Sequence, residues 1–388
     1  MSRRAEIPRS AEAPESSPRW MPRACRAIAT VSILASLASP AWGLLYFIAT
    51  NLVTDDQSVN AAQITDGSLV NAWGISYSPA SPFWVSDNGT GVATLYRVDP
   101  VTGVTTKQGL TVTIPGAGNV TGQAFSNVAG SFNGDTFLFV SEDGTVAGWR
   151  GALGTNAETL ATADPNNLYK GAASANIGGN VYLYAANFRT GNVDVFKGNP
   201  GAPNLAATFT DPTLPSGFAP FGIANLGGTI YVTYAKQGAG ADDQPGAGNG
   251  FVSAFDLQGN FLGRVGSQGT LNSPWGLARA PSSFGAFAGD LLVGNFGDGT
   301  INVFDTSTDT FLGQLLGPDL NPLAIEGLWG LIPGNGGNGG NLQSIYFSAG
   351  PSDESHGLFG VITVPEPATL ALLAVALLGV PLVRRKPR

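Results

Sequence analysis

The sequence predicts an all-β fold, a six-bladed β-propeller, with an N-terminal signal helix before it and a C-terminal transmembrane helix after it. Two observations lead to this prediction. Between the two ends of the chain, apolar residues show no helical periodicity, whereas short runs alternate as they do in strands. In addition, one pattern recurs about every 50 residues, and four short strands in a period of that length are typical of a propeller blade.

One glycine marks each repeat, and it stands directly before a short run of mostly apolar residues. We refer to these six residues as the marker glycines: Gly74, Gly122, Gly171, Gly222, Gly276 and Gly330. Successive marker glycines are 48, 49, 51, 54 and 54 residues apart. Six markers predict six blades.

An apolar strand follows each marker glycine, and a tight polar turn follows most of these strands. The predicted strands cover 83–86, 137–140, 181–184, 230–233, 291–294 and 345–348. Turns of the Asn-Gly and Asp-Gly kind between alternating strands are strong hairpin signals. The last repeat lacks an outer strand. We therefore expect the segment 46–54 to pair there and close the ring, which removes the free sheet edges.

Residues 1–43 form a signal-peptide region. Arg23 and Arg26 precede an apolar stretch at 27–38, and Ala41-Trp42-Gly43 supplies a small-x-small cleavage pattern. Met21 is an alternative start of the chain. The one cysteine, Cys25, is removed with the signal, so the mature propeller, predicted at 44–364, has no disulfide and depends on a large core.

The last residues, 365–388, have the layout of a sorting signal. Pro365-Glu366-Pro367 is followed by 16 uncharged residues at 368–383 and then by Arg384-Arg385-Lys386. As a helix the apolar run spans roughly 24 Å, slightly less than a bilayer core, and flanking residues make up the difference. We predict a transmembrane helix at 368–383, with the basic cluster on the cytoplasmic side. An ordinary membrane anchor is the alternative interpretation.

This tail resembles the PEP-CTERM sorting signal of Gram-negative bacteria, in which an exosortase processes the protein at the Pro-Glu-Pro motif. The repeats resemble NHL-type repeats. More closely, the span from Thr50 to Ile362 resembles an uncharacterised family of exported propellers with PEP-CTERM tails, through stretches such as 81–91, 231–236, 271–278 and 293–302. The resemblance implies export by the Sec machinery, an exosortase partner, anchoring in the inner membrane before processing, and a final place at the cell surface or outside the cell.

The charge of the predicted propeller restricts its partners. The chain has 19 Lys and Arg and 27 Asp and Glu; without residues 1–43 and 365–388, 9 basic and 23 acidic residues remain, a net charge of −14. Such a surface repels nucleic acid and anionic lipid headgroups but attracts cations. Nucleic acid is therefore excluded as a partner, whereas Ca²⁺ or another divalent cation and extracellular polysaccharide stay open.

Polar turns and aromatic residues are expected to share the face of the propeller that binds ligands. The candidates for this face are Trp73, Asp87, Glu142, Asn187, Arg189, Trp275, Asn295 and Trp329. In the functional interpretation they form a polar funnel ringed by aromatic side chains, which suits a sugar, a small ligand or a hard cation. In the structural interpretation the polar residues only form turns and the aromatic residues fill space between blades.

A glycine-rich insertion at 237–250 stands where the other blades have short turns, and long loops on rigid scaffolds often carry function. Asp242 and Asp243 in this loop, together with Glu326, are the candidate metal ligands. The one histidine, His356, rules out a multi-histidine zinc site and is expected to order a loop.

The sequence thus predicts a binding or scaffold module of the cell surface or extracellular matrix, with no assigned catalytic residue. The rival hypothesis is a metal-dependent hydrolase or lactonase that uses the central channel. It rests on a likeness to six-bladed lactonases at the level of the fold, with Glu326, Asn187 and Asn295 as ligands.

Overall fold

The computed structural model describes residues 45–240 and 242–365. The predicted signal peptide and the predicted transmembrane helix at 368–383 lie outside these residues. The described chain is almost entirely β-structure, with three short 3₁₀ segments at Ser131–Gly134, Gly151–Leu153 and Ser282–Phe287. None of its helical segments has the length and apolar character needed to cross a bilayer.

The strands form six antiparallel sheets around a central channel, as the six marker glycines predict. Within each blade the first strand in the following list is the innermost. Blade 1 contains β3 (Ala72–Ser76), β4 (Phe83–Asp87), β5 (Val92–Val98) and β6 (Thr105–Thr113), and blade 2 contains β7 (Val120–Phe125), β8 (Phe137–Ser141), β9 (Val146–Trp149) and β10 (Glu158–Ala161). Blade 3 contains β11 (Tyr169–Ile177), β12 (Asn180–Asn187) and β13 (Asn192–Lys197), and blade 4 contains β14 (Phe218–Leu226), β15 (Thr229–Lys236), β16 (Gly250–Phe255) and β17 (Phe261–Ser267). Blade 5 contains β18 (Pro274–Arg279), β19 (Leu291–Asn295), β20 (Ile301–Asp305) and β21 (Thr310–Gln314). Blade 6 contains β22 (Leu328–Pro333), β23 (Ile345–Ala349), β24 (Leu358–Thr363) and, as its fourth strand, β1 (Ile48–Thr54).

The N-terminal strand closes the ring, which confirms the prediction for this segment. β1 pairs antiparallel with β24, from Ile48 opposite Thr363 to Thr54 opposite Leu358. A two-residue strand, β2 (Ile64–Thr65), then runs parallel to β1. Blade 6 is therefore built from both ends of the domain, and every strand of the ring lies between residues 48 and 363.

The marker glycines allow the six inner strands to approach one another around the channel. A Cβ atom on Gly74 would lie 2.6 Å from the carbonyl oxygen of Thr121 in the next blade, and one on Gly171 would lie 2.9 Å from that of Phe221. A Cβ atom on any of the other four marker glycines would likewise approach the backbone of the following blade. For Gly330 in blade 6 the contact is with Trp73 in blade 1, so the contacts run around the whole ring. The pairing register also shifts at each of these sites, as expected for a β-bulge. The repeated glycine is thus a steric requirement of a narrow ring.

We call the end of the channel where the inner strands begin the mouth, and the opposite end the base. The loops that enter the inner strands and the turns between second and third strands lie at the mouth. Between neighbouring blades the core is aromatic and aliphatic; for example, Trp84 of blade 1 stacks on Phe137 of blade 2 with ring centroids 4.1 Å apart. Because the blades are closely packed, the mouth loops are attached to a rigid scaffold.

Candidate functional site

Aromatic side chains fill the channel just below its mouth. Trp73, Phe221, Trp275 and Trp329 each precede a marker glycine, and we call these four residues the aromatic plug. The ring centroids of Trp73 and Trp329 are 3.7 Å apart, and Trp275 meets both of them edge-on at 6.3 and 5.9 Å. Trp73 and Trp329 are each 1% exposed. The aromatic side chains therefore occupy the channel and contact one another across it.

Asn71 fixes the plug to the mouth loops. Its Oδ1 accepts hydrogen bonds from the indole nitrogens of Trp73 and Trp329, at 2.8 and 3.0 Å. Its Nδ2 donates to Glu354 Oε2 at 2.6 Å and to Asn88 Oδ1 at 3.2 Å. Asn71 is in the left-handed region of backbone conformation, with φ of 49°, which asparagine tolerates better than most residues. The plug and the acidic residues above it are thus connected through one side chain.

A buried lysine stands beside the plug in blade 3. Lys170 precedes the marker glycine Gly171, so it takes the position that tryptophan or phenylalanine takes in four other blades. Its Nζ lies 2.5 Å from Glu142 Oε1 and 5.0 Å from the centre of the Trp73 ring. Its side chain is only 5% exposed. Lys170 was not predicted as a site residue from the sequence. Its position directly before a marker glycine, where four other blades have an aromatic residue, was the signal that could have indicated it.

A cavity of about 780 Å³ opens at the mouth above blades 4, 5 and 6, and we call it the mouth cavity. Six carboxyl-bearing residues line it: Asp242, Asp243, Asp298, Glu326, Asp353 and Glu354. Phe296 also lines it and stacks on Trp329 of the plug, with ring centroids 3.9 Å apart and an interplanar angle of 15°. The cavity is therefore acidic at its walls and has one aromatic surface continuous with the plug.

The three predicted metal ligands Asp242, Asp243 and Glu326 all line the mouth cavity. They do not form a compact ligand set, however, because no group of three His, Cys, Asp or Glu side chains among residues 45–240 and 242–365 is arranged to hold a metal ion. Asp353, Glu354 and Phe296 were not predicted as site residues. Their turns carry no sequence pattern that distinguishes them from other turns of the chain. The three residues lie together only because the ring is closed.

The insertion predicted at 237–250 carries Asp242 and Asp243 to the cavity. Gln237 and Asp243 form an isolated antiparallel bridge, and the backbone nitrogen of Gln244 donates to the carbonyl oxygen of Lys236 at 2.8 Å. Gln237 Nε2 donates to the carbonyl oxygen of Phe188 at 2.6 Å, which ties the loop to blade 3. These hydrogen bonds hold the two carboxyl groups over the channel.

Two carboxyl groups of the mouth cavity are harder to ionise than usual. Burial raises the pKa of Asp243, whose Oδ2 atom is enclosed without a hydrogen-bond partner among the described residues. Burial likewise raises the pKa of Glu354, and the charges of Glu142 and Asp243 act in the same direction. The Lys170 charge opposes both shifts. A cation in the cavity would favour loss of these protons.

The structure corrects the expected exposure of three polar candidates. Asp87, Asn187 and Asn295 end the second strands of blades 1, 3 and 5, and each is 0% exposed. Asn187 Oδ1 accepts from the backbone nitrogen of Leu168 at 3.2 Å, and Asn295 Oδ1 accepts from that of Asn272 at 3.1 Å. Asn187 and Asn295 thus hold the mouth loops in place, and none of the three side chains lines an open surface.

The other candidates have separate positions. Arg189 is exposed in the turn after β12 and is not part of the mouth cavity. Trp275 lines a second cavity of about 450 Å³ that enters the channel from the base, so the plug separates the two cavities. His356 Nδ1 lies 2.8 Å from Asp55 Oδ2, which links the loop before β24 to the end of β1. It thus orders a loop, as the sequence indicated.

Comparison with known proteins connects the chain to viral relatives. It is 32% identical to the uncharacterized protein R648 of Acanthamoeba polyphaga mimivirus over 324 residues, which cover 78% of this chain and 77% of the viral protein. The uncharacterized protein L690 of the same virus is also 32% identical, over 80% of this chain and 84% of that protein. The chain belongs to their family. Because these relatives are themselves uncharacterised, membership of the family brings no activity with it.

Two further comparisons concern the tail and the fold. Residues 363–388 match the PEP-CTERM protein-sorting motif, which confirms the predicted sorting signal and implies processing by an exosortase-type system. An auxiliary nutrient binding protein from Bacteroides thetaiotaomicron is similar in structure, with a TM-score of 0.51 and 12% identity over 83% of this chain and 77% of that chain. At this level of identity the likeness concerns the fold alone. The protein is thus an exported β-propeller with a PEP-CTERM sorting signal.

Proposed function

We propose that this exported propeller is a binding module of the cell envelope and that its ligand is an organic cation held in the mouth cavity. The observation that carries the proposal is the convergence of six carboxyl-bearing residues from three blades on one cavity of about 780 Å³. Ligand cavities commonly measure roughly 300–1,000 Å³, so the size suits a small molecule or the end of a polymer. The proposal includes anchoring of the unprocessed chain in the inner membrane by its tail.

An organic cation fits this cavity better than a bare metal ion. The carboxyl groups are spread around the walls, and among the described residues no three of them form a metal-binding group. Distributed negative charge matches an extended ligand with several amino or guanidinium groups. Phe296 offers a ring face to such a group, and a cation over an aromatic ring gains roughly 0.5–2 kcal/mol. Envelope polysaccharides that carry free amino groups are ligands of this class.

No observation favours the metal-dependent hydrolase. Two of its three suggested ligands, Asn187 and Asn295, are fully buried, and their amide groups bond to their own loops. Glu326 lines the mouth cavity, but its Oε1 accepts a hydrogen bond from the backbone nitrogen of Ser352 at 3.0 Å. The arrangement therefore supports a binding role without an assigned reaction.

Calorimetry on residues 44–364 tests the proposal, since this span contains every strand of the ring. Spermidine and short glucosamine oligomers are the probes, with Ca²⁺ and a neutral glucose oligomer for comparison. We expect the amines to bind and the neutral sugar not to bind. Because a charge pair 4 Å apart in water is worth about 1 kcal/mol, each of Asp298→Asn, Glu326→Gln and Asp353→Asn should weaken spermidine binding roughly fivefold.

Asp309→Asn is the matched control, because Asp309 is exposed on the outer part of blade 5, away from the mouth cavity. This variant should bind spermidine like the parent protein. Equal weakening by the control and the cavity variants would contradict a local site. Absence of amine binding at low ionic strength, where charge attraction is strongest, would overturn the proposal.

A further inference from the structure

We propose that the base of blades 5 and 6 faces the membrane while the tail is still attached, so that the mouth cavity points away from the bilayer. This inference rests on the anchoring part of the proposed function and does not depend on the identity of the ligand. The partner surface is a bilayer with anionic headgroups.

The first observation is that both ends of the domain leave it on the same side. β24 runs in the same direction as the inner strand β22, from mouth to base, and β1 begins opposite its end. Leu45, Phe47 and Val364 pack into one cluster with the Ser282–Phe287 segment, which joins the base end of β18 to β19. The ring centroids of Phe47 and Phe284 are 4.8 Å apart. The chain therefore departs toward the tail from the base side, next to blade 5.

The second observation is the short distance from the last strand to the apolar run. β24 ends at Thr363, and the run begins at Ala368, five residues later. We call the chain from Thr363 to Ala368 the tether. A fully extended chain covers at most about 3.6 Å per residue, so the tether places the start of the apolar run no farther than roughly 18 Å from the end of β24. Pro365 and Pro367 stiffen it further. The inner strands are about six residues long, or roughly 20 Å, so the mouth lies at least that much farther away when the base faces the bilayer.

The third observation is a difference in charge between the two ends of the channel. The mouth cavity carries six acidic residues, whereas the base segments 281–289 and 334–344 contain no charged residue. The base of blade 5 carries three acidic residues outside these segments, Asp290, Asp305 and Asp309. Anionic headgroups therefore repel the mouth, with its six acidic residues, more than the base of blades 5 and 6. Electrostatics and the tether both favour the same orientation.

The base of blade 6 and the adjoining turn of blade 1 also expose apolar side chains. Leu342 in the loop between β22 and β23 is 58% exposed, and Val101 and Val104 in the turn between β5 and β6 are 90% and 58% exposed. The blade 6 loop is held against blade 1 by the hydrogen bond from the Val98 backbone nitrogen to the carbonyl oxygen of Asn338, at 2.9 Å. The same turn of blade 1 and the end of β5 carry the partly exposed ion pair of Arg97 and Asp99. Exposed apolar groups on an ordered surface suit the interface of a bilayer.

Fluorescence quenching in liposomes tests the orientation with the full chain. A Cys25→Ser background leaves no other cysteine, so single labels can be placed at the base with Leu342→Cys or Val101→Cys and at the mouth with Asp242→Cys or Ser355→Cys. Each labelled protein is reconstituted into vesicles of phosphatidylethanolamine and phosphatidylglycerol that contain a spin-labelled lipid. We expect at least threefold stronger quenching at both base positions than at both mouth positions.

Residues 44–364, which lack the tail, provide the baseline for collisions with free vesicles. An alkaline carbonate wash separates the two ways in which the proposal can fail. A chain that washes off the vesicles contradicts tail anchoring. A chain that resists the wash but is quenched equally at base and mouth, or more at the mouth, overturns the proposed orientation.

Discussion

Replacement of the buried acid Asp87 by asparagine should stabilise the propeller at neutral pH. Asp87 ends β4, is 0% exposed, and has no hydrogen-bond partner for either carboxyl oxygen among the described residues. Asn187 and Asn295 occupy the same position in blades 3 and 5, which indicates that the site accepts an amide. The substitution Asp87→Asn keeps the shape of the side chain and removes its titration.

The expected effect depends on pH, and its sign follows from proton linkage. Burial raises the pKa of Asp87 well above its ordinary value of 3.8, and the charge of nearby Asp66 adds to the shift. As pH rises above 3.8, the unfolded chain loses a proton that the folded chain keeps. The free energy of unfolding of the parent therefore falls by about 1.4 kcal/mol per pH unit until the folded carboxyl group ionises. Asparagine does not titrate, so the free energy of unfolding of the Asp87→Asn variant lacks this contribution to its pH dependence.

Urea denaturation of both proteins at several pH values measures the difference. The advantage of Asp87→Asn should grow with pH at the slope of about 1.4 kcal/mol per pH unit while the folded carboxyl group keeps its proton, and it should level off once that group ionises. Asp309→Asn, which removes an exposed carboxyl group, is the control for the loss of charge. A difference between Asp87→Asn and the parent that stays constant with pH would refute the explanation.

Four further outcomes are expected. Gly74→Ala should lower the free energy of unfolding by about 1–3 kcal/mol, because its methyl group meets the next inner strand, whereas Gly109→Ala in β6, which has open space around it, should change it little in the same urea experiment. Deletion of residues 44–54 should leave β24 as an unpaired edge and produce oligomers in size-exclusion chromatography; a stable monomer would contradict closure by β1. Lys170→Met should raise the pH below which spermidine binding is lost, because Lys170 opposes protonation of Asp243 and Glu354; calorimetry across pH would show an unmoved midpoint if the lysine has no such effect. Replacement of Pro365, Glu366 and Pro367 by alanine should stop tail processing in a host with an exosortase, and normal processing on immunoblots would exclude the sorting role of this motif.

The repeat made the fold predictable from the sequence. Each marker glycine is required by close contact between inner strands, so the spacing of these glycines gave the number of blades. The missing outer strand of the last repeat also predicted closure by the N-terminal segment. Both features are local in sequence and follow from the geometry of one ring.

The site was less predictable, because exposure and convergence are not local properties. Asp87 and Asn187 follow apolar strands just as exposed turn residues do, yet both side chains are buried, and that of Asn187 holds a mouth loop in place. Asp353 and Glu354 carry no motif, and they meet the insertion of blade 4 only because the closed ring brings loops of blades 4, 5 and 6 to one cavity. Lys170 was not predictable as a buried residue, because its burial depends on contacts with Glu142 and Trp73, which lie in two other blades.

Tryptophan indole NMR signals give the most direct test of the proposed ligand site. Residues 44–364 contain five tryptophans, of which Trp329 lies under Phe296 at the mouth cavity, whereas Trp84 and Trp149 pack between blades 1 and 2. Titration with spermidine should shift the indole N–H signal of Trp329 in a saturable manner and leave those of Trp84 and Trp149 unchanged. An unchanged Trp329 signal, or equal shifts at Trp84 and Trp149, would contradict binding of organic cations in the mouth cavity.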